Sequence, residues 1–213
     1  PKTQKEFKLV PQFFNCDSIG YRYDLTKEDI TSWGALLDPK YKGKMVMPDP
    51  SFTSLLVSVV GMMSQIKGWE YFEKLRKNDV MIVQGNQQVS DMLKRGERLI
   101  AVGSLDSYAA EDRAAGHPLK TLYPSDGVFV IPSPTSVVKG SPNPNAARLF
   151  AEFMLSDPVQ NLFPAEGGYS ARADMPAPKG SPDMKSIKVN PVDYDYIEKE
   201  SARIKKRFNE IFQ

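Results

Sequence analysis

Three short stretches carry the side chains that could hold a ligand. Asp49–Ser54 (DPSFTS) sets Ser51, Thr53 and Ser54 directly before the apolar run Leu55–Met63. If that run is a helix, up to four backbone amides at its start lack intrahelical partners, and the dipole there favours negative charge. Hydroxyls at such a place either help to hold an anion or simply cap the helix. Gln84–Gln88 (QGNQQ) follows VMIV and offers the side-chain amides of Asn86 and Gln87; Asn86 serves equally well as a helix cap. Gly103–Tyr108 (GSLDSY) follows RLIAV and brings Ser104, Asp106 and Tyr108. No Lys or Arg sits in these three stretches. An anion there would be gripped by neutral donors and a partial positive charge, which suits a ligand that must be released again.

The elements that position these stretches alternate between helix and strand patterns. Ile30–Leu37 reads as a short helix with Trp33 and Leu37 turned inward and a capping region at Thr26–Glu28. MVMP is a short buried strand, and Asp49–Thr53 opens a helix with Pro50 in its first turn. Leu55–Met63 is apolar on nearly every side and predicts a buried helix, followed by the amphipathic GWEYFEKLRKND. VMIVQ, RLIAVGS and PLKTLYP read as strands; Asn86–Arg95, closed by Gly96, and LDSYAAEDRAAG read as helices. Ala177–Lys185 is a connector rich in Pro, Gly and Ser, and Val192–Phe212 is a final helix. This alternation predicts a parallel or mixed α/β sheet covered on both faces. The three ligand stretches then fall at strand ends, where open α/β sheets bind their ligands.

Composition sets limits. The 213 residues suffice for one large or two small domains with a hydrophobic core. A formal charge of +2 gives no global case for nucleic acid or an anionic membrane. The basic end Ile204–Phe208 (IKKRF) suits a helix C-terminus on a solvated face. No run of eighteen apolar residues argues for a spanning helix, and no cationic start with an apolar core reads as a signal peptide. The single Cys16 excludes an internal disulfide and a cysteine-rich metal site. His117, after a helix-ending glycine in AAGHPLK, reads as a surface histidine.

Asp126–Arg172 is the longest ordered pattern. An apolar extended run, Val128–Ile131, leads through a Pro/Ser-rich turn to a second extended run, Ser136–Lys139. KGSPNPN follows, with Asn143 or Asn145 placed to cap a helix that aligns Ala146, Leu149, Phe150, Phe153 and Met154. SDPVQ starts another short helix, and GGY returns the chain to an extended form. This order resembles the C-terminal half of extracellular solute-binding proteins of bacterial ABC importers, in the branch that includes binders of ferric iron, phosphonates and sugar phosphates. The resemblance implies an α/β fold of the type II periplasmic-binding-protein kind, two lobes joined by crossover strands. FFNCDSIGYRYDL would hold the first crossover (Asn15–Gly20), with the second at Tyr123–Phe129. The chain would be a fragment or a clipped product lacking the N-terminal lobe portion. The expected organisation is 1–20 crossover and remnant of lobe 1, 21–123 lobe 2, 124–180 lobe 1 again, and 181–213 a connector and final helix packing on lobe 2.

The same resemblance favours the anion reading of Ser51–Ser54. Iron-binding members carry adjacent tyrosines near the third stretch, whereas this chain has Ser107–Tyr108 followed by Ala109. Fe3+ as a transported ligand would therefore rest on the single phenolate of Tyr108 plus a synergistic anion. No cofactor is implied. The implied partners are a small anion or ferric ion and a membrane permease, in the periplasm, with the full-length protein a monomer that neither binds nucleic acid nor inserts into membrane.

Enzyme signatures are missing from the sequence: there is no GxSxG, HExxH, GxxxxGK[ST] or GxGxxG. A Cys–His pair could only be Cys16 with His117, and neither has a supporting motif. Glu111–Asp112 lies on a charged helix face. The leading expectation is the solute-binding component of an importer for a phosphate-, phosphonate- or carboxylate-bearing solute. A ferric-iron binder, or the ligand-sensing domain of a regulator, is the alternative.

Overall fold

The computed structural model describes residues 9–26 and 30–213. Part of the Thr26–Glu28 capping region therefore lies outside the described residues. The axis of the fold is one long strand, β1 (Leu9–Arg22), which changes neighbours along its length. Its second half pairs antiparallel with two later strands from the alternating region, and its first half pairs with strands near residues 130 and 170. Asp17 sits at the exchange point, opposite both Leu105 and Phe129.

After β1 the expected helix at Ile30–Leu37 is instead a short 3-10 turn, Gly34–Leu37, followed by another at Pro39–Tyr41. Trp33 is buried as expected, but Leu36 rather than Leu37 is the fully buried leucine. Glycine at 34 and proline at 39 leave no room for regular helical turns. The alternating region then runs β2 (Met45–Pro48), α1 (Ser54–Lys67), α2 (Trp69–Lys77), β3 (Met81–Val83), α3 (Asn86–Arg95), β4 (Ile100–Leu105), α4 (Asp106–Ala114) and β5 (Leu119–Leu122). The helix expected from Asp49 starts only at Ser54, because residues 49–53 form a turn. β3, β2 and β4 are parallel neighbours, and β1 lies antiparallel between β4 and β5.

β6 (Val128–Ser136) follows as one unbroken strand, where a turn and two short runs were expected. Pro132 and Pro134 do not interrupt it. Among the described residues only its first two positions pair with a second strand, so the remaining edge needs no proline N–H. Next come α5 (Pro144–Phe153), α6 (Asp157–Gln160), α7 (Leu162–Ala165) and β7 (Tyr169–Ser170). Asn143 occupies the N-cap of α5 without a side-chain capping bond. A strand unseen in the sequence, β8 (Val189–Asn190), pairs parallel with the start of β6. α8 (Tyr194–Phe212) ends the chain, its start capped by the Asp193 carboxylate accepting from Tyr196 N.

The core lies on both sheet faces. One face packs Met45, Met47 and Ile19 against α1, α2 and α8 through Leu56, Val60, Phe72, Ile204 and Phe208. The other packs Val46 and Ala101 against Val89 and Leu93 of α3. α1 is enclosed by sheet and α8, which explains its apolarity all round. Gly61 permits this approach: a Cβ there would stand 2.5 Å from Ile197 Cδ1 and 2.8 Å from Ile204 Cδ1. The segment before β6 is pinned by Trp33, whose Nε1 donates to Gly127 O at 2.7 Å and whose backbone N donates to Asp126 Oδ1 at 3.0 Å. Beyond it, the helical face of α5 stays open: Leu149 is 68% exposed, Phe150 56% and Phe153 53%.

Candidate ligand-binding site

The parallel order β3-β2-β4 brings the ends of three strands to one edge of the sheet. Pro48 lies opposite Val83, and Asp49 N donates to Val83 O at 2.7 Å, so the segments after β2 and β3 are direct neighbours. The end of β4 leans on the first turn of α1. At Gly103 (φ +70°) a Cβ would sit 2.7 Å from Leu56 Cδ1. The sheet, rather than any local pattern, thus gathers the three stretches.

Asp49 organises the first. It is 4% exposed; its Oδ1 accepts from Ser51 N at 2.7 Å, and its carbonyl accepts from Phe52 N at 3.1 Å and Thr53 N at 3.2 Å. The Ser51 hydroxyl turns towards α8, 3.4 Å from the side-chain amide of Asn209. Thr53 is the extended N-cap of α1 but makes no side-chain capping bond. Its half-buried hydroxyl and the exposed Ser54 are therefore not spent on the helix end. The first turn of α1 thus has no side-chain cap on its free amides.

In the second stretch Asn86 is the half-buried first residue of α3, and its Oδ1 is buried with no hydrogen-bond partner among the described residues. Gln87 is exposed and donates to Asp91 Oδ1 at 3.1 Å within the same helix. Gly85 has open space where a Cβ would stand.

The third stretch is not a loop. β4 runs to Leu105 and α4 begins at Asp106. Ser104 is consequently a strand residue, 6% exposed, packed near Gly20. Asp106 is 2% exposed and turns towards β1, its Oδ1 accepting from Cys16 N at 3.2 Å. Burial pushes its carboxyl up to about 7, against the opposing effect of that amide bond. Asp17, 1% exposed, is raised well above the usual carboxylate range by burial and then by the charge of Asp106. Tyr123 is pushed up to about 12 by burial and by Asp106. The Tyr169 hydroxyl donates to Pro182 O at 2.8 Å. Tyr108 is half-buried in the first turn of α4, with Ser107 beside it.

Of this polar knot, sequence reasoning singled out Asp106, as a ligand donor, and missed its neighbours Asp17, Tyr123 and Tyr169. The signal of the knot was an aspartate inside the run FFNCDSIGY, where an apolar strand residue is the norm. Among the described residues, no group of three or more His, Cys, Asp or Glu side chains converges to hold a metal. Among the described residues, no helix is long and apolar enough to cross a membrane.

Comparison with known proteins follows the same lines. A 30% identical relative over 134 residues is an uncharacterized protein of Haemophilus influenzae. A 25% identical relative over 160 residues is described as a candidate 2-aminoethylphosphonate-binding periplasmic protein of Salmonella typhimurium. The chain spans 38% and 47% of the lengths of these two. Among solved structures, the periplasmic binding protein P5PA superposes with a TM-score of 0.83 at 25% identity, covering 97% of this chain and 69% of that one. The periplasmic binding protein AfuA from Actinobacillus pleuropneumoniae, with fructose-6-phosphate bound, gives 0.82 at 21%, covering 96% and 68%. A ferric binding protein from Campylobacter jejuni gives 0.79 at 20%, covering 99% and 73%. These likenesses establish the type II periplasmic-binding-protein fold. With the family model of bacterial extracellular solute-binding proteins matching residues 5–200, the chain belongs to that family.

Proposed function

We propose that this chain belongs to the binding component of an ABC importer, and that it captures a small solute bearing a phosphate, phosphonate or carboxylate. One observation carries the reading: the first turn of α1 is uncapped, with the Thr53 and Ser54 hydroxyls unspent beside it. A partly buried helix start favours an anion by up to ~2 kcal/mol, and Asn86 lies at the neighbouring strand end. The likeness to a candidate phosphonate binder supports the same ligand chemistry. Capture needs no covalent step. β1 and β6 form the antiparallel crossover pair, and lobes joined by such a pair close on a ligand by hinge motion.

Calorimetric titration of the full-length protein with inorganic phosphate, 2-aminoethylphosphonate and citrate tests this. At least one binds, and Thr53→Ala with Ser54→Ala weakens it by about 1–3 kcal/mol per lost hydrogen bond, with thermal stability unchanged. Undiminished binding by the double variant overturns the anion site. Tyr108, in the first turn of α4 at this edge, supports ferric iron as the second reading. A tyrosinate-to-iron charge-transfer band on adding ferric citrate, lost in Tyr108→Phe, would replace the anion reading with an iron one.

A further inference from the structure

The C-terminal end of α8 reaches the ligand stretch from outside. Gln213 Nε2 donates to Asp49 Oδ2 at 3.1 Å, and Asn209 faces the Ser51 hydroxyl at 3.4 Å. Residues 209 and 213 are four apart and share one helix face. The adjoining side of the same turns is fixed in the core: Phe208 is fully buried and Phe212 9% exposed, their rings 4.5 Å apart. Further back, Ile197 and Ile204 pack against Gly61 of α1. The helix end therefore has a set position relative to α1, the element whose first turn offers the amides. Asp49 links the two, giving one carboxylate oxygen to Ser51 N and the other to Gln213.

We propose that Asn209 and Gln213 are positioning residues for the anion site, acting as a strut that holds the Asp49–Thr53 turn. They act through Asp49 and Ser51 and are assigned no contact with the ligand; the proposal rests on the anion reading above. Neutral donors grip a charged group well only when they are fixed in advance. A turn free to rearrange would lose part of its affinity to ordering. This site has no basic side chain in its three stretches to compensate.

The test uses the full-length protein with inorganic phosphate as probe, read by calorimetry and by backbone amide shifts at Thr53–Val57. Asn209→Ala with Gln213→Ala lowers phosphate affinity at least about fivefold, the equivalent of one net hydrogen bond, and speeds amide exchange at Ser51 and Thr53. Arg207→Ala is the control. It removes the 2.8 Å ion pair from α8 to Glu73 and leaves the turn alone, so affinity and exchange stay as in the parent. If the double variant binds phosphate as the parent does, the strut is overturned and the anion site stands. If Arg207→Ala weakens binding equally, α8 contributes only its docking and the strut is again overturned. If the parent protein shows neither phosphate binding nor shifts at Thr53–Val57, the anion reading fails and takes the strut with it.

Discussion

At the residue scale, the site joins groups of opposite legibility. Ser51, Thr53 and Ser54 were visible as hydroxyls ahead of an apolar helix, yet their roles divide in the fold. Ser51 serves α8, while Thr53 and Ser54 remain unspent. Asp17 and Asp106 carry a pH consequence. Their folded pKa values are raised, Asp106 to about 7, mainly by burial. Unfolded carboxylates titrate near ~3.9. Between those values the folded protein holds more protons than the unfolded one, so stability falls as pH rises through that window. The penalty is absent below about pH 4 and, for Asp106, complete above about pH 7. Urea denaturation at pH 4.5, 6 and 8 should show this decline, and Asp106→Asn should flatten it. An unchanged slope in that variant would assign the pH dependence elsewhere.

At the element scale, close approaches set the geometry. α8 meets α1 across Gly61, and β4 meets α1 across Gly103. Gly61→Val overfills the first contact and is expected to lower stability by about 1–3 kcal/mol, measured by chemical denaturation. Gly103→Ala places a Cβ in the left-handed region and against Leu56. That strain costs about 1–2 kcal/mol and shifts the first turn of α1. Phosphate affinity should therefore drop in Gly103→Ala, and also in Gly61→Val, which pushes α8 and with it Asn209 and Gln213 away from α1. α3 was readable with its closing Gly96, and α8 as a final helix, though its Asp193 cap was not. β6 was not, because Pro132 and Pro134 signal a turn unless the open edge of the strand is known.

At the scale of the whole molecule, α1, α2, α8 and the sheet form the main core, while the apolar face of α5 lies open. Two phenylalanine substitutions should separate them in this 213-residue chain. Phe208→Ala, from full burial, costs about 3–5 kcal/mol. Phe153→Ser, from a ring 53% exposed, changes stability by no more than about 0.5 kcal/mol. Equal losses in denaturant unfolding would place α5 inside the cooperative core.

The sequence by itself determined the alternation of strands and helices, the buried character of α1, and the likeness to solute-binding proteins carried by Asp126–Arg172. Those properties live in local spacing, capping and residue order, which chain neighbours decide. Only the tertiary structure decided that β1 serves two sets of partners, that β4 passes directly into α4, and that Ser104 and Asp106 turn inward. It alone placed Asn209 and Gln213 beside a turn some 160 residues away. Hydrogen bonds across such separations leave no periodic trace, because their partners are chosen by the packing of α8 on α1 and not by the sequence around either end.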